Sequence, residues 1–187
     1  MHQHIALNGD DLAMNSPFIK KLLKGECRDY FPELRGKRGV LFSNTTLTRF
    51  IEEEFKHDNF ELTKKYGRSI RTLSSGEQKK VLLEFLIGTK PGFIVLDNPF
   101  DALDVASVKH LKARLETIAR EMMVIQVFKR KNDLLPFIRH AMRVENGEVV
   151  YADGIKNTWK NMNRKKKSIL TLIFRGLYTN KLIASKS

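Results

Sequence analysis

Two neighbouring segments carry residue types that can do chemistry. Leu73-Ser74-Ser75-Gly76-Glu77-Gln78 leads into a run whose Val81, Leu82, Phe85 and Leu86 recur at helical spacing. Ser74 and Glu77 stand at the separation of a capping box, in which each side chain satisfies the other residue's backbone amide. The remaining amides of such a first turn point outward, and with a glycine in the approach the helix start can hold an anion. A plain capping box fits the same residues, so this segment alone leaves both readings open. The second segment is Phe93-Ile94-Val95-Leu96-Asp97-Asn98-Pro99-Phe100-Asp101-Ala102-Leu103-Asp104. Its first four residues, after the breaker Lys90-Pro91-Gly92, have the uninterrupted apolar character of a strand covered on both faces. An acid at the carboxyl end of such a strand, Asp97, lies where parallel sheets bind ligands and can hold a magnesium ion through water.

The elements that must position these groups follow from pattern. Ile5 to Leu7 reads as a short buried strand ending in the turn Asn8-Gly9-Asp10-Asp11. A helix follows from Pro17, a favoured first helical residue, with Ile19, Leu22 and Leu23 on one stripe and Gly25 as its stop. Gly39 to Phe42 reads as a strand and Thr46 to Phe55 as a helix. Charged residues dominate from Glu52 to Arg71, which predicts a surface connection. Val105 to Arg120 has helical spacing through Val108, Leu111, Leu115 and Ile118, and Val124 to Phe128 is a further buried strand. Strand-helix-strand alternation of this kind argues for a parallel sheet covered by helices. Asn146-Gly147 between apolar runs predicts a closing hairpin.

Composition narrows the setting. The 187 residues hold 34 Lys and Arg against 21 Asp and Glu, a formal net charge of +13, with 42% hydrophobic residues and one cysteine, Cys27. These values suit one globular domain, exclude an intrachain disulfide or a Cys-cluster zinc site, and point to a reducing, cytoplasmic setting. No apolar run reaches the roughly 20 residues that span a bilayer, and the start lacks a signal-peptide layout. The charge is unevenly placed. Residues 156 to 187 carry nine basic groups and no acid, so the remainder holds 25 basic groups against 21 acidic ones, a net of +4. The expected division is therefore a body, residues 1–154, and a basic amphipathic or disordered tail, residues 155–187. In the tail, Arg164-Lys165-Lys166-Lys167 precedes an apolar stretch that can lie on an anionic membrane, and a solvated appendage is the alternative. His2 and His4 share a strand face by alternation, but without a third ligand a frayed terminus is the expectation rather than a metal site. Phe100, Phe128 and Phe137 are expected in the core or an interface, not on a base-stacking platform.

In order and spacing, LSSGEQ followed by FIVLDNPFDALD resembles the signature motif, Walker B strand and D-loop of the ATP-binding cassette (ABC) ATPases. The hairpin RVENGEVV is similar to one that closes many such domains, and DNPFDALDVAS resembles the first domain of the tandem ATP-binding proteins associated with molybdate transport. Together these matches cover about residues 4 to 154. The resemblance implies an α/β fold of the P-loop NTPase type, a parallel sheet covered by helices, with a shortened helical subdomain and without the usual N-terminal strands. It implies ATP and magnesium as ligands, with Gly9, Asn15, Ser16, Ser74, Ser75, Gly76, Glu77 and Asp104 at nucleotide-contacting positions and Ser16 and Asp97 at magnesium positions. The partners it implies are a second ABC domain, in a homo- or heterodimer, and a membrane transport subunit at the inner face of the membrane. Nucleic acid is not expected.

Several positions depart from the pattern. The family phosphate loop is G-x-x-x-x-G-K-[ST], with Lys as the point charge on the β- and γ-phosphates and Ser or Thr on magnesium. Here Gly9 to Ser16 keeps the first Gly and the final Ser, but Met14 replaces the second Gly and Asn15 the Lys. Losing that cation forfeits roughly 1 to 4 kcal/mol of gross attraction at 4 Å, and Asp10 and Asp11 add repulsion. Asn98 stands at the catalytic glutamate position, where an amide cannot accept a proton as a base. Lys129 aligns with the switch histidine and Ser43 with the Q-loop glutamine. The expectation is a cassette of doubtful hydrolysis at its own site, donating its signature motif to a partner's ATP. The alternatives are a non-enzymatic interaction module or gene fragment that keeps the fold, and a basic-tailed membrane or nucleic-acid binder.

Overall fold

The computed structural model describes residues 2–9, 12–129 and 133–154; the expectations for Asp10, Asp11 and the basic tail lie outside the described residues. Six strands form one sheet: β1 (Ile5–Asn8), β2 (Gly39–Phe42), β3 (Phe93–Asp97), β4 (Met123–Val127), β5 (His140–Glu145) and β6 (Glu148–Gly154). Their spatial order is β2-β3-β4-β1-β5-β6. The first five are mutually parallel and β6 returns antiparallel to β5. The hairpin turns through Asn146 and Gly147, whose φ values of 53° and 79° match the left-handed pair that Asn-Gly supplies. The helices are α1 (Pro17–Leu23), α2 (Asn44–His57), α3 (Ser75–Gly88) and α4 (Val105–Glu121), with short 3-10 turns at Pro32–Leu34 and Ile70–Thr72.

Strand alternation divides the core into two layers. Ile5, Leu7, Phe93, Val95, Ile125 and Val127 face α1 and the Phe31 to Leu34 segment. Ala6, Ile94, Leu96 and Val124 face α2, α3 and α4. Because β1, β3 and β4 are covered on both sides, they need no polar face. Gly25 ends α1 at φ 69°, with its amide on Leu22 O and that of Glu26 on Lys21 O. This is a Schellman closure, and a Cβ at Gly25 would meet the carbonyl oxygens of Leu34 and Lys37 at 2.4 and 2.5 Å.

Two expectations are corrected. The charged stretch from Glu52 to Arg71 is not wholly a surface connection, because Glu54, Leu62, Thr63 and Ile70 are buried. The Glu54 carboxylate accepts from Thr63 Oγ1 at 2.9 Å, from Ser69 Oγ, and from the Ile70 amide at 3.0 Å, which ties the connection to α2. A residue type counted as a surface marker is here an internal acceptor. The N-terminal histidines are also held rather than frayed. His2 Nε2 is 3.0 Å from Glu121 O, and His4 Nδ1 accepts from the Val124 amide at 3.1 Å. Burial, with His2 nearby, lowers the pKa of His4 and favours the neutral ring that this bond requires. No group of three or more metal-capable side chains occurs among the described residues. As expected, Phe128 is buried, and Phe100 and Phe137 pack against the same cluster.

Candidate nucleotide site and signature face

Parallel strands bring their carboxyl ends to one edge, and five of the expected groups arrive there with them. Ser43 follows β2, Asp97 and Asn98 end β3, Lys129 follows β4, and Gly9 follows β1. The edge is knit by Asn8, whose Nδ2 donates to Phe128 O at 2.8 Å while its Oδ1 accepts from Arg143 Nη1 at 3.1 Å. A Cβ at Gly9 would sit 2.5 Å from Val144 O, so close packing on β5 already requires glycine there without any ligand.

Between Gly9 and α1, the described residues Leu12 to Ser16 are anchored on the core by their own side chains. Leu12 and Met14 pack against the cluster around Phe18 and Leu22, and the Ser16 amide donates to Ala13 O at 3.0 Å, closing a turn. Ser16 Oγ caps α1 by accepting from the Ile19 amide at 3.4 Å. Asn15 is exposed. Leu12 to Ser16 therefore form an apolar-anchored turn ahead of a seven-residue helix.

Asp97 is partly buried, and desolvation raises its pKa against the pull of Lys129 and Lys79. Asn98 Nδ2 donates to Asp97 Oδ1 at 3.1 Å. The amide thus faces the acid as a donor, where a glutamate would add a second negative charge. Asn98 also has φ 43°, a left-handed conformation that Asn tolerates better than most residues. A cavity of about 400 Å³ opens beside these groups, walled by Asn98, Phe100, Asp101, Gln126 and Lys129 among others. Ser43 is buried and caps α2, its Oγ accepting from the Thr46 amide at 3.1 Å.

The residues expected at the signature motif, Ser74 to Glu77, form a second cluster with Asp104, joined to the first by the loop Asn98–Leu103. Both arms of the capping box are present: the Glu77 amide donates to Ser74 Oγ at 3.3 Å, and the Ser74 amide donates to Glu77 Oε2 at 2.8 Å. Arg68 adds a 2.7 Å ion pair to Glu77. Asp104 caps α4 by accepting from the Ser107 amide at 2.8 Å and from Ser107 Oγ at 3.0 Å. The two helix starts touch, since a Cβ on Gly76 would lie 2.5 Å from Ser107 Oγ, and Ser75 Oγ donates to Ala102 O at 2.9 Å. Hydrogen bonds from Ser74 hold the Glu77 pKa below its ordinary value, and those from Ser107 do the same for Asp104. Depressed carboxylate pKa values contribute stability that is present above the unfolded values, 4.5 and 3.8, and lost as pH falls through the folded ones. Acid titration of unfolding free energy is therefore expected to show a decline beginning below about pH 5 that is shallower in a Glu77→Gln, Asp104→Asn double variant. An unchanged slope in the double variant would remove the caps as its source.

Four polar residues at these clusters escaped the sequence reading: Asn8, Asn44, Lys79 and Arg143. Lys79 is buried, and its Nζ donates to Pro99 O at 3.2 Å and Asp101 O at 2.6 Å. Asn44 Nδ2 donates to Asp101 Oδ2 at 3.1 Å. A signal for Lys79 existed, because it shares the helical stripe of Leu82, Leu83 and Leu86, all buried.

No family model matches the chain. The ABC transporter ATP-binding protein ModF of Escherichia coli K12 is 30% identical over 132 residues, covering 66% of this chain and 27% of that protein. The molybdenum import ATP-binding protein ModC of Pasteurella multocida is 27% identical over 92 residues, covering 48% of this chain and 26% of its own length. The zinc import ATP-binding protein ZnuC of Rickettsia bellii is 32% identical over 104 residues, covering 56% of this chain and 43% of the relative. The chain thus spans between about a quarter and two fifths of these relatives. Among solved structures, the ATP-binding subunit of an ABC transporter superposes with a TM-score of 0.56 at 14% identity, over 86% of this chain and 82% of that one, so the fold is shared.

Proposed function

We propose that this chain, which carries an ATP-binding cassette domain of the ABC type, works in trans: it presents its signature motif and D-loop to the ATP held by a second cassette and holds no ATP productively at its own phosphate loop. The observation that carries the reading is an asymmetry within the chain. The half made of Ser74 to Glu77 and Asp104 is complete and doubly capped. The half made of Gly9 to Ser16 lacks the lysine, packs a partly buried Met14 against the core and engages Ser16 as a helix cap.

ATP and magnesium do not fit the chain's own site. Close approach of a phosphate needs open backbone amides and a cation, whereas the turn at Leu12 to Ser16 offers an apolar anchor and a neutral amide. Asn98 cannot act as a base, so no hydrolytic step is assigned to this site. At a partner's site the contribution is different. The amides of Ser75 and Gly76 are first-turn donors without an intrahelical acceptor, and they face outward at a helix start, where the macrodipole favours a γ-phosphate. Two copies of this chain would repeat the missing lysine at both sites, so the partner is a cassette with an intact phosphate loop. A membrane transport subunit, bound from the cytoplasmic side, completes the proposed assembly. No helix among the described residues is long and apolar enough to cross a membrane.

Calorimetry of the purified chain with ATP, with and without magnesium, is expected to show no saturable binding tighter than about 1 mM, equivalent to roughly 4 kcal/mol. Micromolar affinity with turnover would sink the proposal.

A further inference from the structure

The loop between Asp97 and α4 is held by α3 at three backbone carbonyls. Ser75 and Lys79, four residues apart on one face of α3, donate to Ala102 O, and to Pro99 O and Asp101 O. From the other side Asn44 of α2 binds the Asp101 carboxylate. Asn98 and Ala102 take φ values of 43° and 56°. A left-handed alanine has neither glycine's freedom nor the polar side chain of Asn, so its conformation must be imposed by its surroundings. Lys79, which binds the two carbonyls at Pro99 and Asp101 just before Ala102, is 4% exposed. A lysine so buried is expensive unless its donors are met, and carbonyls arranged around it meet them. Desolvation lowers the Lys79 pKa while Asp101 and Asp97 oppose that shift.

We propose that Lys79 is the positioning residue of the signature face: it clamps the D-loop to the signature helix, so that Ser74 to Glu77 and Asn98 to Asp104 reach a partner cassette as one preformed surface. This rests on the reading that the chain acts in trans. Preformation matters there because a loop that must order on association adds its ordering cost to every docking event. The geometry divides the work of α3 by face. Gly76 sets the approach to α4, while Ser75 and Lys79 hold the loop.

Hydrogen–deuterium exchange on the full chain, with no partner or nucleotide present, tests the clamp independently of whether a partner site exists. Lys79→Met keeps the aliphatic length and removes the donors; Lys79→Arg keeps donors; Ser75→Ala removes one exposed contact. In Lys79→Met, peptides spanning residues 98 to 104 are expected to exchange about tenfold faster, with those of β1 and β5 unchanged, as for a local opening. Lys79→Arg is expected to recover most of the protection, and Ser75→Ala to accelerate the same peptides about two- to threefold. Exchange unaltered in residues 98 to 104, a rise spread evenly over the chain, or no recovery with arginine would each overturn the clamp. Should Lys79→Met not fold, Ser75→Ala and Lys79→Arg decide: loop exchange at the wild-type rate in Ser75→Ala overturns the proposal, and local acceleration there with protection kept in Lys79→Arg supports it. Micromolar ATP binding by the chain alone would instead remove the in-trans reading and leave the exchange result standing.

Discussion

Replacing Glu54 with alanine is expected to lower the unfolding free energy by about 3 kcal/mol or more. The carboxylate is 5% exposed and accepts from Thr63 Oγ1, Ser69 Oγ and the Ile70 amide. Hydrogen bonds to a charged group are worth roughly 1.5 to 3 kcal/mol each, and removing the acceptor strands its donors in a dry site at a cost of about 1 to 3 kcal/mol apiece. The donors all lie in the connection that leads to α3, between Asp58 and Leu73. The loss should therefore register in two ways. The urea midpoint falls, and proteolysis within residues 58 to 71 becomes faster at denaturant concentrations where the sheet is intact. Glutamine in place of Glu54 keeps one acceptor oxygen, and about half the loss is expected. A midpoint in Glu54→Ala within error of the wild type would refute the anchoring role.

Rebuilding the phosphate loop is the second large effect. The Met14→Gly, Asn15→Lys double variant is expected to bind MgATP about 10- to 100-fold more tightly than the parent. Restoring the cation returns roughly 1 to 4 kcal/mol gross, part of which is spent in ordering the lysine. Asn15→Lys alone should gain less, because Met14 still anchors the turn in the apolar cluster. Withdrawing Met14 from its partly buried position costs about 1 to 2 kcal/mol of stability, at the low end for a large-to-small change. Binding and folding should thus move in opposite directions in the same protein. Hydrolysis should stay low even when binding returns, because Asn98 remains. Adding Asn98→Glu is expected to raise turnover about 100-fold, at a cost of about 1 kcal/mol for a left-handed glutamate. Calorimetry and single-turnover hydrolysis on the three variants decide it, and equal ATP affinity in the parent and the double variant would show that positions 14 and 15 do not set the deficit.

Much of the architecture was legible because its signals are local. Gly39–Phe42 forms a strand at the bounds expected, and Asn146-Gly147 turns as its dihedral preference requires. The capping box at Ser74 and Glu77 is present in both arms. What was not legible depends on partners distant in sequence. Glu54 looks like any surface glutamate until three donors beyond residue 62 are folded onto it. Lys79 looks like a solvated helix residue until the carbonyls of Pro99 and Asp101 arrive from about twenty residues on. Asn8 lies in a short apolar strand, and its bonds to Phe128 and Arg143 follow only from the strand order. Buried polar groups are chosen by tertiary geometry, which periodicity does not encode.

The place of β1 in the sheet also bears on how the chain matures. Ile5 pairs on one side with Ile125 and on the other with His140, so this strand precedes both of its neighbours by more than a hundred residues. On a ribosome β2, β3 and β4 can assemble while β1, four residues with no polar face until Asn8, waits for the rest of its slot to be synthesised. Its insertion closes the longest loop in the domain and should come late in folding, which makes the interval before residue 145 emerges the one in which a chaperone or a neighbouring nascent chain has most to capture.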